Sequence, residues 1–284
     1  MLTSSHISAF YAVASHLSFS KAASTLHITQ SAISQRIAQL EEELALALFN
    51  RHPRGISLTE AGEILLSYCR SQKALEEDVQ EKLSQTKTGI LAGAIRIGAY
   101  SSTLRSVVMP VLNSFLLEHP GVECEFRSFS GNDIVFALQN DLIDILISDA
   151  SVSKATIAQE RIGYEEYVVI EDEKGIAKKD VYLDNAPSDQ VTANFFRAQK
   201  KPAPAYQRLF MHDCYGIMDG VAAGLGRAVM PAHLLRDDKR IRLVAGYKPY
   251  LVAVHLQFYK QTRYSRVFSK VIEQLRNEMP SLLS

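Results

Sequence analysis

The chain has 284 residues, enough for two or three small domains, and its 31 Lys and Arg balance its 31 Asp and Glu. The balance excludes a strong overall attraction to nucleic acid, to a membrane surface or to acidic substrates. Cys69, Cys124 and Cys214 lie far apart and form no metal-ligand spacing or disulfide framework. The sequence shows no signal-peptide pattern at its start and no apolar run of membrane-spanning length, so we expect a cytoplasmic protein.

Two amphipathic helices are predicted in the first part of the chain. In residues 6–15, apolar side chains recur at the spacing that predicts a helix with one buried face. The run KAASTL predicts a second, shorter helix, with Ser20 as its N-cap. Its alanines are small enough for a close helix crossing, so we expect a compact helical unit.

The stretch ITQSAISQRIAQLEEE predicts a third helix, capped by Thr29, with two different faces. At about 100° per residue, its apolar stripe is formed by Ile33, Ile37, Leu40 and Leu44. The opposite face carries short side chains, namely Ser31, Gln35 and Ala38, with Ser34 beside them. Because Ser is unfavourable inside helices, such a face indicates close contact with something outside the domain.

Three short helices with a tight turn before the last one form a helix-turn-helix, which presents the start of its last helix to the DNA major groove. Gln can pair with adenine, Ser can bond several base edges, and backbone N–H groups at residues 29–31 can approach a phosphate. An ordinary solvated helix face is the simpler interpretation for Ser31 or Ser34 alone. The whole pattern favours DNA.

A basic β-wing is predicted after the third helix. Arg51, His52 and Arg54 lie in a Pro/Gly turn, and residues 56–58 form a short extended piece. A wing tip at this position can reach the DNA backbone or the minor groove. Residues 1–58 contain four Lys and Arg and three Glu, an excess of only +1, which favours a dimer or larger assembly that multiplies the contacts.

The runs FSKAASTLHITQSAISQRIAQLEEEL and LFNRHPRGISLTEAG resemble the winged helix-turn-helix of the LysR-type transcriptional regulators. The resemblance implies that TQSAIS begins the recognition helix. It also implies a set of DNA-binding residues, namely Thr29, Gln30, Ser31, Ser34, Gln35, Arg36, Arg51 and Arg54. The sequence departs from the family pattern at Ser31, where Pro is common, and at Leu46, where Gly is preferred, so we expect a differently built turn at Leu46.

A long helix is predicted from Thr59, its potential N-cap, to about residue 85. Its seam of alternating four and three spacing is typical of a coiled coil and comprises Ala61, Leu65, Tyr68, Gln72, Leu75 and Val79. The seam packs either against its own chain or against a second copy, and the resemblance favours a dimer. Gly89 and Gly93 are predicted to end the helix and to act as a hinge.

Beyond the hinge, strands and helices alternate, which predicts an α/β domain with a mainly parallel sheet. Residues 94–99 and 144–148 are predicted strands, and residues 104–118 and 131–140 are predicted helices. Residues 216–231 combine a helix, a Gly turn and a buried strand. The segment between about residues 181 and 204 has the least readable pattern, and we take no site from it.

The predicted fold class is therefore α/β overall, with an N-terminal all-α winged helix-turn-helix, a long linker helix and a C-terminal two-lobed α/β effector domain. The two-lobed plan, similar to that of periplasmic binding proteins, is implied by the resemblance. The predicted divisions are a DNA-binding domain at residues 1–58, a linker helix and hinge at 59–88, and an effector-binding domain at 89–284.

Ligands of parallel sheets sit at the carboxyl ends of the strands, and three such ends here carry hydroxyl or amide groups. The resemblance implies a small-molecule cleft between the lobes, with candidates Ser101, Ser102, Thr103, Ser130, Asn132 and Ser148. The loop 213–215 of the second lobe is a further candidate. For each residue singly, helix capping or a solvated hydroxyl is an equal explanation, and the convergence of three strand ends favours the set.

Two other classes of function were weighed. An enzyme is disfavoured because the sequence contains no P-loop, G-x-S-x-G, HExxH or CxxC motif, and neither a cofactor nor a metal is expected. A thiol-based redox sensor of the same family is the second alternative. Cys214 precedes a predicted helix near His212, a setting that can lower a thiol pKa, although a buried Cys more commonly acts as a small hydrophobe.

The sequence thus predicts a bacterial LysR-type transcriptional regulator that binds an interrupted palindromic promoter site in double-stranded DNA as a homodimer or homotetramer. A small-molecule effector, either an amino acid or a carboxylate, would shift the arrangement of the DNA-binding pairs. RNA polymerase is a candidate further partner, and no membrane partner is expected.

Overall fold

The computed structural model describes residues 4–53, 55–88, 90–129, 131, 133–152, 154–199, 204–236 and 238–283. The N-terminal elements are α1 (Ser4–His16), α2 (Phe19–Thr25), α3 (Gln30–Leu44), β1 (Phe49–His52), β2 (Gly55–Leu58) and the long helix α4 (Glu60–Thr88). The next elements are β3 (Ala92–Tyr100), α5 (Ser101–Thr103), a π-helical turn (Leu104–Val108), α6 (Met109–Glu118), β4 (Gly121–Phe129), α7 (Asp133–Gln139) and β5 (Ile145–Ser148). The remaining elements are β6 (Ile157–Asp172), β7 (Val181–Asp184), α8 (Val191–Ala198), β8 (Gln207–Phe210), α9 (Cys214–Ala222), β9 (Ala228–Pro231), a 3-10 turn (Ala232–Leu235), β10 (Ile241–Leu243), β11 (Tyr250–Tyr259) and α10 (Arg266–Leu283).

The N-terminal unit is a three-helix core followed by a β-hairpin wing. Ile33, Ile37 and Leu40 of α3 are completely buried, as the stripe on the third helix predicts, and they pack with α1 and the wing. The predicted cap Thr29 is confirmed, because its hydroxyl accepts from the N–H of Ala32 at 3.2 Å. β1 and β2 then pair antiparallel to form the predicted wing.

The second helix begins earlier than the sequence suggests. Its N-cap is Ser18, whose hydroxyl accepts from the N–H of Lys21 at 3.3 Å. The prediction that Ser20 caps this helix is therefore wrong: Ser20 lies inside α2 and donates to Gln30 Oε1 at 2.9 Å. Phe19 extends the helix because its side chain packs against the wing residue Phe49, with ring centroids 6.0 Å apart.

Among its described side chains, the long helix α4 presents one apolar face that is covered and one that is exposed. Thr59 caps the helix through the N–H of Gly62 at 3.0 Å. Leu65, which the sequence places in the coiled-coil seam, is instead buried in the core of the N-terminal unit together with Leu66 and Cys69. The other face stays exposed and forms the α4 stripe, defined as Ile64, Tyr68, Leu75, Val79 and Leu83. The predicted seam is therefore wrong only in the first turns of α4, at Leu65. Its later members Tyr68, Leu75 and Val79 lie on the exposed face, as a seam that packs against a second copy requires.

The C-terminal portion is a two-lobed α/β fold built on a seven-stranded sheet and a separate parallel pair, β7 and β8. In the first lobe, β3 pairs parallel with β4 and β5, as the alternation of strands and helices predicts. The prediction of a mainly parallel sheet is wrong for the sheet as a whole, because the returning strands β6 and β11 make four of its six strand pairs antiparallel. The long strand β6 then pairs antiparallel with β11 along its first part and with β9 and β10 near its end. Because β6 runs through both lobes, it forms part of the connection between them.

Two glycines were given roles from the sequence, Gly93 in a hinge and Gly224 in a turn, and only the second role is confirmed. Gly93 has φ +154° and pairs with Val122 inside β3, so it belongs to a strand and the prediction of a hinge at this residue is wrong; Gly89 lies outside the described residues. In the block 216–231, Gly224 has φ +78° and makes the predicted turn between α9 and β9. A side chain there would be strained, because this left-handed region favours glycine.

Candidate functional site

The predicted DNA-facing residues lie together at the start of α3. Gln30, Ser31 and Gln35 are exposed, while Ser34 and Arg36 are partly buried. The hydroxyls of Thr29 and Ser31 lie 2.9 Å apart, and Ser20 from the preceding helix holds the amide oxygen of Gln30. These bonds orient short polar groups on a face that no other part of the described chain covers.

Arg51 from the wing stands beside this helix face. It is exposed, and its guanidinium carbon lies 5.2 Å from the centroid of the Phe19 ring, which supports the side chain from below. Arg54, the other predicted wing residue, lies outside the described residues. The outward helix face and the wing cation are what a winged helix-turn-helix needs for a base edge and a phosphate, respectively.

A second candidate site is the cleft between the two lobes, with a volume of about 800 Å³. The first lobe contributes the strand ends at Tyr100–Ser102 and Ser128–Phe129, and the second lobe contributes the end of β7 with the loop after it, the start of α9 and strand β9. Clefts of this size between lobes, with hydrophobic walls and a few polar groups, are typical of small-molecule sites. Ser101 and Ser102 line the cleft as the sequence predicts for the first strand end.

Two other predicted cleft residues, Thr103 and Ser148, lie elsewhere. Thr103 is buried below the cleft and donates to Glu165 Oε1 at 3.0 Å. Ser148 is buried within the first lobe, where its hydroxyl accepts from Gln257 Nε2 at 3.3 Å. Neither is among the residues that line the cleft, and Ser130 and Asn132 lie outside the described residues.

Glu165 joins the two lobes underneath the cleft. Besides the bond from Thr103, it accepts from the Tyr167 hydroxyl at 3.2 Å and lies 3.1 Å from His233 Nε2. His233 Nδ1 in turn lies 2.7 Å from the hydroxyl of Ser106, in the π-helical turn. Ser106, His233 and Glu165 thus form a hydrogen-bonded chain that links the first lobe to the second, with the His233 side chain 0% exposed at its centre. The cluster therefore serves the connection between lobes.

Cys214 lies in the cleft wall, where its thiol sulfur is 3.3 Å from the hydroxyl oxygen of Ser101. Burial raises the pKa of this thiol above its ordinary value, and the hydrogen bond with Ser101 only partly offsets the effect. Because the thiolate is the form that reacts with oxidants, a raised pKa weighs against the thiol-switch alternative.

The second lobe supplies cleft residues that the sequence does not single out. Asp184, Asn185 and Asp189 line the cleft, although residues 181–204 yielded no predicted site. The available signal was the short apolar strand VYLD followed by NAPSD, since ligand groups gather at the carboxyl ends of strands. The same rule that identified the first-lobe candidates would have found these residues.

Comparison with known proteins agrees with this architecture. Residues 4–63 match the family model for the bacterial regulatory helix-turn-helix protein of the lysR family, and residues 89–280 match the LysR substrate binding domain. The two matches together define a class of protein that joins a lysR-type helix-turn-helix to a LysR substrate binding domain. The chain belongs to the LysR family.

The matches to individual curated proteins cover only part of each chain. Over 138 residues the chain is 38% identical to the HTH-type transcriptional regulator CbbR of Rhodospirillum rubrum, covering 49% of this chain and 46% of that protein. The chain thus spans about half the length of the curated relatives that it matches, CbbR and AlsR of Bacillus subtilis among them.

Solved structures show the same fold along nearly the whole chain. ArgP from Mycobacterium tuberculosis is 20% identical with a TM-score of 0.73, and 97% of each chain is covered. Full-length LysG from Corynebacterium glutamicum, with bound effector Arg, is 17% identical with a TM-score of 0.69, again covering 97% of each chain. None of the helices that the structure describes has the length and apolar character needed to cross a membrane.

Proposed function

We propose that this protein is a sequence-specific DNA-binding transcriptional regulator whose activity is modulated by a small molecule bound in the interlobe cleft. The observation that carries the proposal is the pairing, in one chain, of an uncovered polar helix face beside a wing cation with a cleft of ligand size. In this proposal Thr29, Gln30, Ser31, Ser34, Gln35 and Arg36 of the recognition helix and Arg51 and Arg54 of the wing contact DNA. Ser101 and Ser102 contact the effector.

The active form in this proposal is a homodimer or a homotetramer in the cytoplasm. The α4 stripe supports it, because five apolar side chains on one face of a helix are 45–67% exposed in the single chain and a second copy of the helix would cover them. Pairing two units also multiplies the weak positive charge of each DNA-binding domain. Two recognition helices related by symmetry would read an interrupted palindrome.

The domain divisions after residues 58 and 88 are part of the same proposal. The first coincides with the end of β2 at Leu58, and the second with the end of α4 at Thr88. The relatives are named transcriptional regulators, which supports a role other than catalysis. RNA polymerase stays a candidate partner for the promoter-bound form.

The test is selection of bound fragments from sheared genomic DNA by the purified full-length protein, followed by sequencing. We expect enrichment of an interrupted palindrome, and loss of that enrichment in the double variant Gln30→Ala/Gln35→Ala. The matched control is Gln207→Ala, which removes an exposed amide from the effector domain. If wild type enriches no sequence above the input DNA, the protein is not a sequence-specific regulator.

A further inference from the structure

The cleft between the lobes is lined by acidic side chains. Five of the described residues that line it are aspartates, namely Asp133, Asp149, Asp184, Asp189 and Asp213. Among those same lining residues none is Lys or Arg, and the one further titratable base is His212. The whole chain has no net charge, so this cleft departs strongly from the average composition of the molecule.

One of the five carboxylates is compensated. Asp184 forms an ion pair with Arg208 and also accepts from the hydroxyl of Thr192 at 2.5 Å. Burial raises the pKa of Asp184, although the bonds from Thr192 and Arg208 oppose this effect. Asp184 therefore has its cation within the protein and contributes little net charge to the cleft.

The other four carboxylates form no ion pair within the described part of the chain. Asp213 accepts from the N–H of Gly216 at 2.8 Å, and Asp189 accepts from the N–H groups of Asn185 and Val191 at 3.2 and 2.8 Å. Asp149 lies near the hydroxyl of Tyr100 and helps to raise the pKa of that phenol, after the larger effect of burial. The donors to these side chains are neutral and leave the negative charges in place, while Arg208, the partner of Asp184, also donates to the backbone carbonyl of Asp189 at 2.7 Å.

The remaining walls of the cleft are neutral. Tyr100, Phe129 and Ile217 offer apolar surface, and Ser101 and Ser128 offer hydroxyls. An anionic ligand such as a dicarboxylate would enter a field of like charge with no lysine or arginine from the described lining to receive it. A ligand with an ammonium or guanidinium group meets the opposite situation, because clefts lined by one sign of charge concentrate the counter-ion.

We propose that the effector of this regulator is a small organic cation, an aliphatic amine or guanidine, whose charged group binds among Asp149, Asp189 and Asp213. The inference rests on the proposed regulatory function of the cleft and narrows the expected ligand. The sequence suggests an amino acid or a carboxylate as the effector, and this inference selects amino acids with a basic side chain. Non-amino-acid polyamines carry the same chemistry.

The field in the cleft can be measured without knowing the effector, because Cys214 lies in the wall. The experiment uses two methanethiosulfonate reagents, one with a trimethylammonium group and one with a sulfonate group, and measures the rate at which each modifies this thiol. The ratio of the two rates is then compared with the ratio measured for 2-mercaptoethanol. A Cys214→Ser chain identifies the background from Cys69 and Cys124. In that background, Ser188→Cys, at an exposed position that lines the cleft, provides a second reporter.

We expect the cationic reagent to be favoured by about ten-fold or more at both reporters. The preference should fall in Asp149→Asn and in Asp213→Asn, where Asn keeps the helix cap of α9 but removes the charge. Glu173→Gln, the same change of charge at an exposed position outside the cleft lining, is the control and should leave the ratio unchanged. A ratio at or below that of 2-mercaptoethanol would overturn the proposal.

A ligand panel then tests the chemistry directly by thermal shift. L-Lysine, L-arginine and putrescine represent the cations, L-norleucine and L-citrulline their neutral isosteres, and L-glutamate and 2-oxoglutarate the anions. We expect saturable stabilisation by a cation only. Asp149→Asn should weaken the affinity for that cation by about ten-fold or more, and Glu173→Gln should leave the affinity unchanged. Stabilisation by an anion contradicts the inference, and so does stabilisation by a neutral isostere that equals the stabilisation by its cation.

The two proposals fail separately in these experiments. Binding of the selected genomic DNA, followed by fluorescence anisotropy, reports on the regulator alone and needs no effector. A protein that binds its DNA but shows no cationic preference in the cleft keeps the regulatory function and loses the charge assignment. A protein with the cationic preference but no DNA binding loses the regulatory function.

Discussion

The guanidinium of Arg70, on the linker helix α4, donates from Nε to the Asp141 carboxylate of the first lobe at 2.9 Å, and the two side chains are only 6% and 10% exposed. The Arg70 guanidinium also lies 3.3 Å from the centroid of the Tyr259 ring. Burial by itself would lower the pKa of Arg70. The carboxylate of Asp141 outweighs this effect, so the pKa of Arg70 is raised. Ser15 of α1 donates to the same carboxylate at 3.3 Å, so Asp141 joins the DNA-binding unit to the effector domain.

Asp141→Asn should destabilise this junction. Asn tolerates the left-handed backbone at residue 141, where φ is +53°, but it leaves the Arg70 charge buried without a partner at a cost of about 3 kcal/mol. Urea unfolding measures the loss, and hydrogen exchange along α1 and α4 locates it. Adding Arg70→Met should restore most of the stability, because the unpaired charge is then gone. No recovery in the double variant would show that the pair is more than charge compensation.

The recognition helix and the wing should fail in different ways. Gln35→Ala removes a base-reading amide, so we expect altered sequence preference with about 1–3 kcal/mol less discrimination at one base pair. Arg51→Ala removes a phosphate contact, so we expect uniformly weaker binding and a salt dependence flatter by about one unit. Fluorescence anisotropy at several salt concentrations, on the selected site and on variants of it, separates the two effects. Identical behaviour of both variants would reject the assignment of these faces.

The turn after α3 should gain stability from glycine at Ala45. Ala45 has φ +53°, and the N–H groups of Ala45 and Leu46 bond to the carbonyls of Glu42 and Glu41 at 3.1 Å, the Schellman arrangement. Glycine usually occupies this left-handed position, so Ala45→Gly should stabilise the protein by about 0.5–1 kcal/mol in urea unfolding.

Leu46→Gly is the informative control for that turn. Leu46 is 55% exposed and is not among the described non-glycine residues with positive φ. Glycine there should slightly destabilise the protein by making the unfolded chain more flexible. If Leu46→Gly were the stabilising change, the turn would have the glycine position of the family pattern and the left-handed residue would be misplaced.

The α4 stripe should control assembly. Leu75→Glu/Val79→Glu places two charges where a second helix would pack, so we expect dissociation to monomers in sedimentation velocity and much weaker DNA binding. Leu243→Glu, at a residue that is 58% exposed on strand β10, adds the same kind of charge elsewhere and should leave the assembly intact. A double variant that sediments like wild type would assign dimerisation to another surface.

Local patterns in the sequence were sufficient for much of the fold. The apolar stripe of α3, the cap at Thr29 and the Gly224 turn each depend on residues a few positions apart, where backbone geometry dominates. The strand ends with Ser101 and Ser102 followed from the rule for parallel sheets. Ser20 shows the limit, because two serines could cap α2 and the packing of Phe19 on Phe49 selected Ser18.

Only the tertiary structure decided which surfaces of these elements meet. The sequence of α4 contains two apolar faces, and the N-terminal core covered Leu65 while it left Tyr68 and Val79 outside. The charge of the cleft was equally hidden, because Asp149, Asp189 and Asp213 are far apart in a chain with no net charge. Chain crossings between the two lobes bring them to one cavity. Periodicity thus determined the elements of this protein, and long-range packing determined the site, since only folding sets the distance between residues remote in sequence.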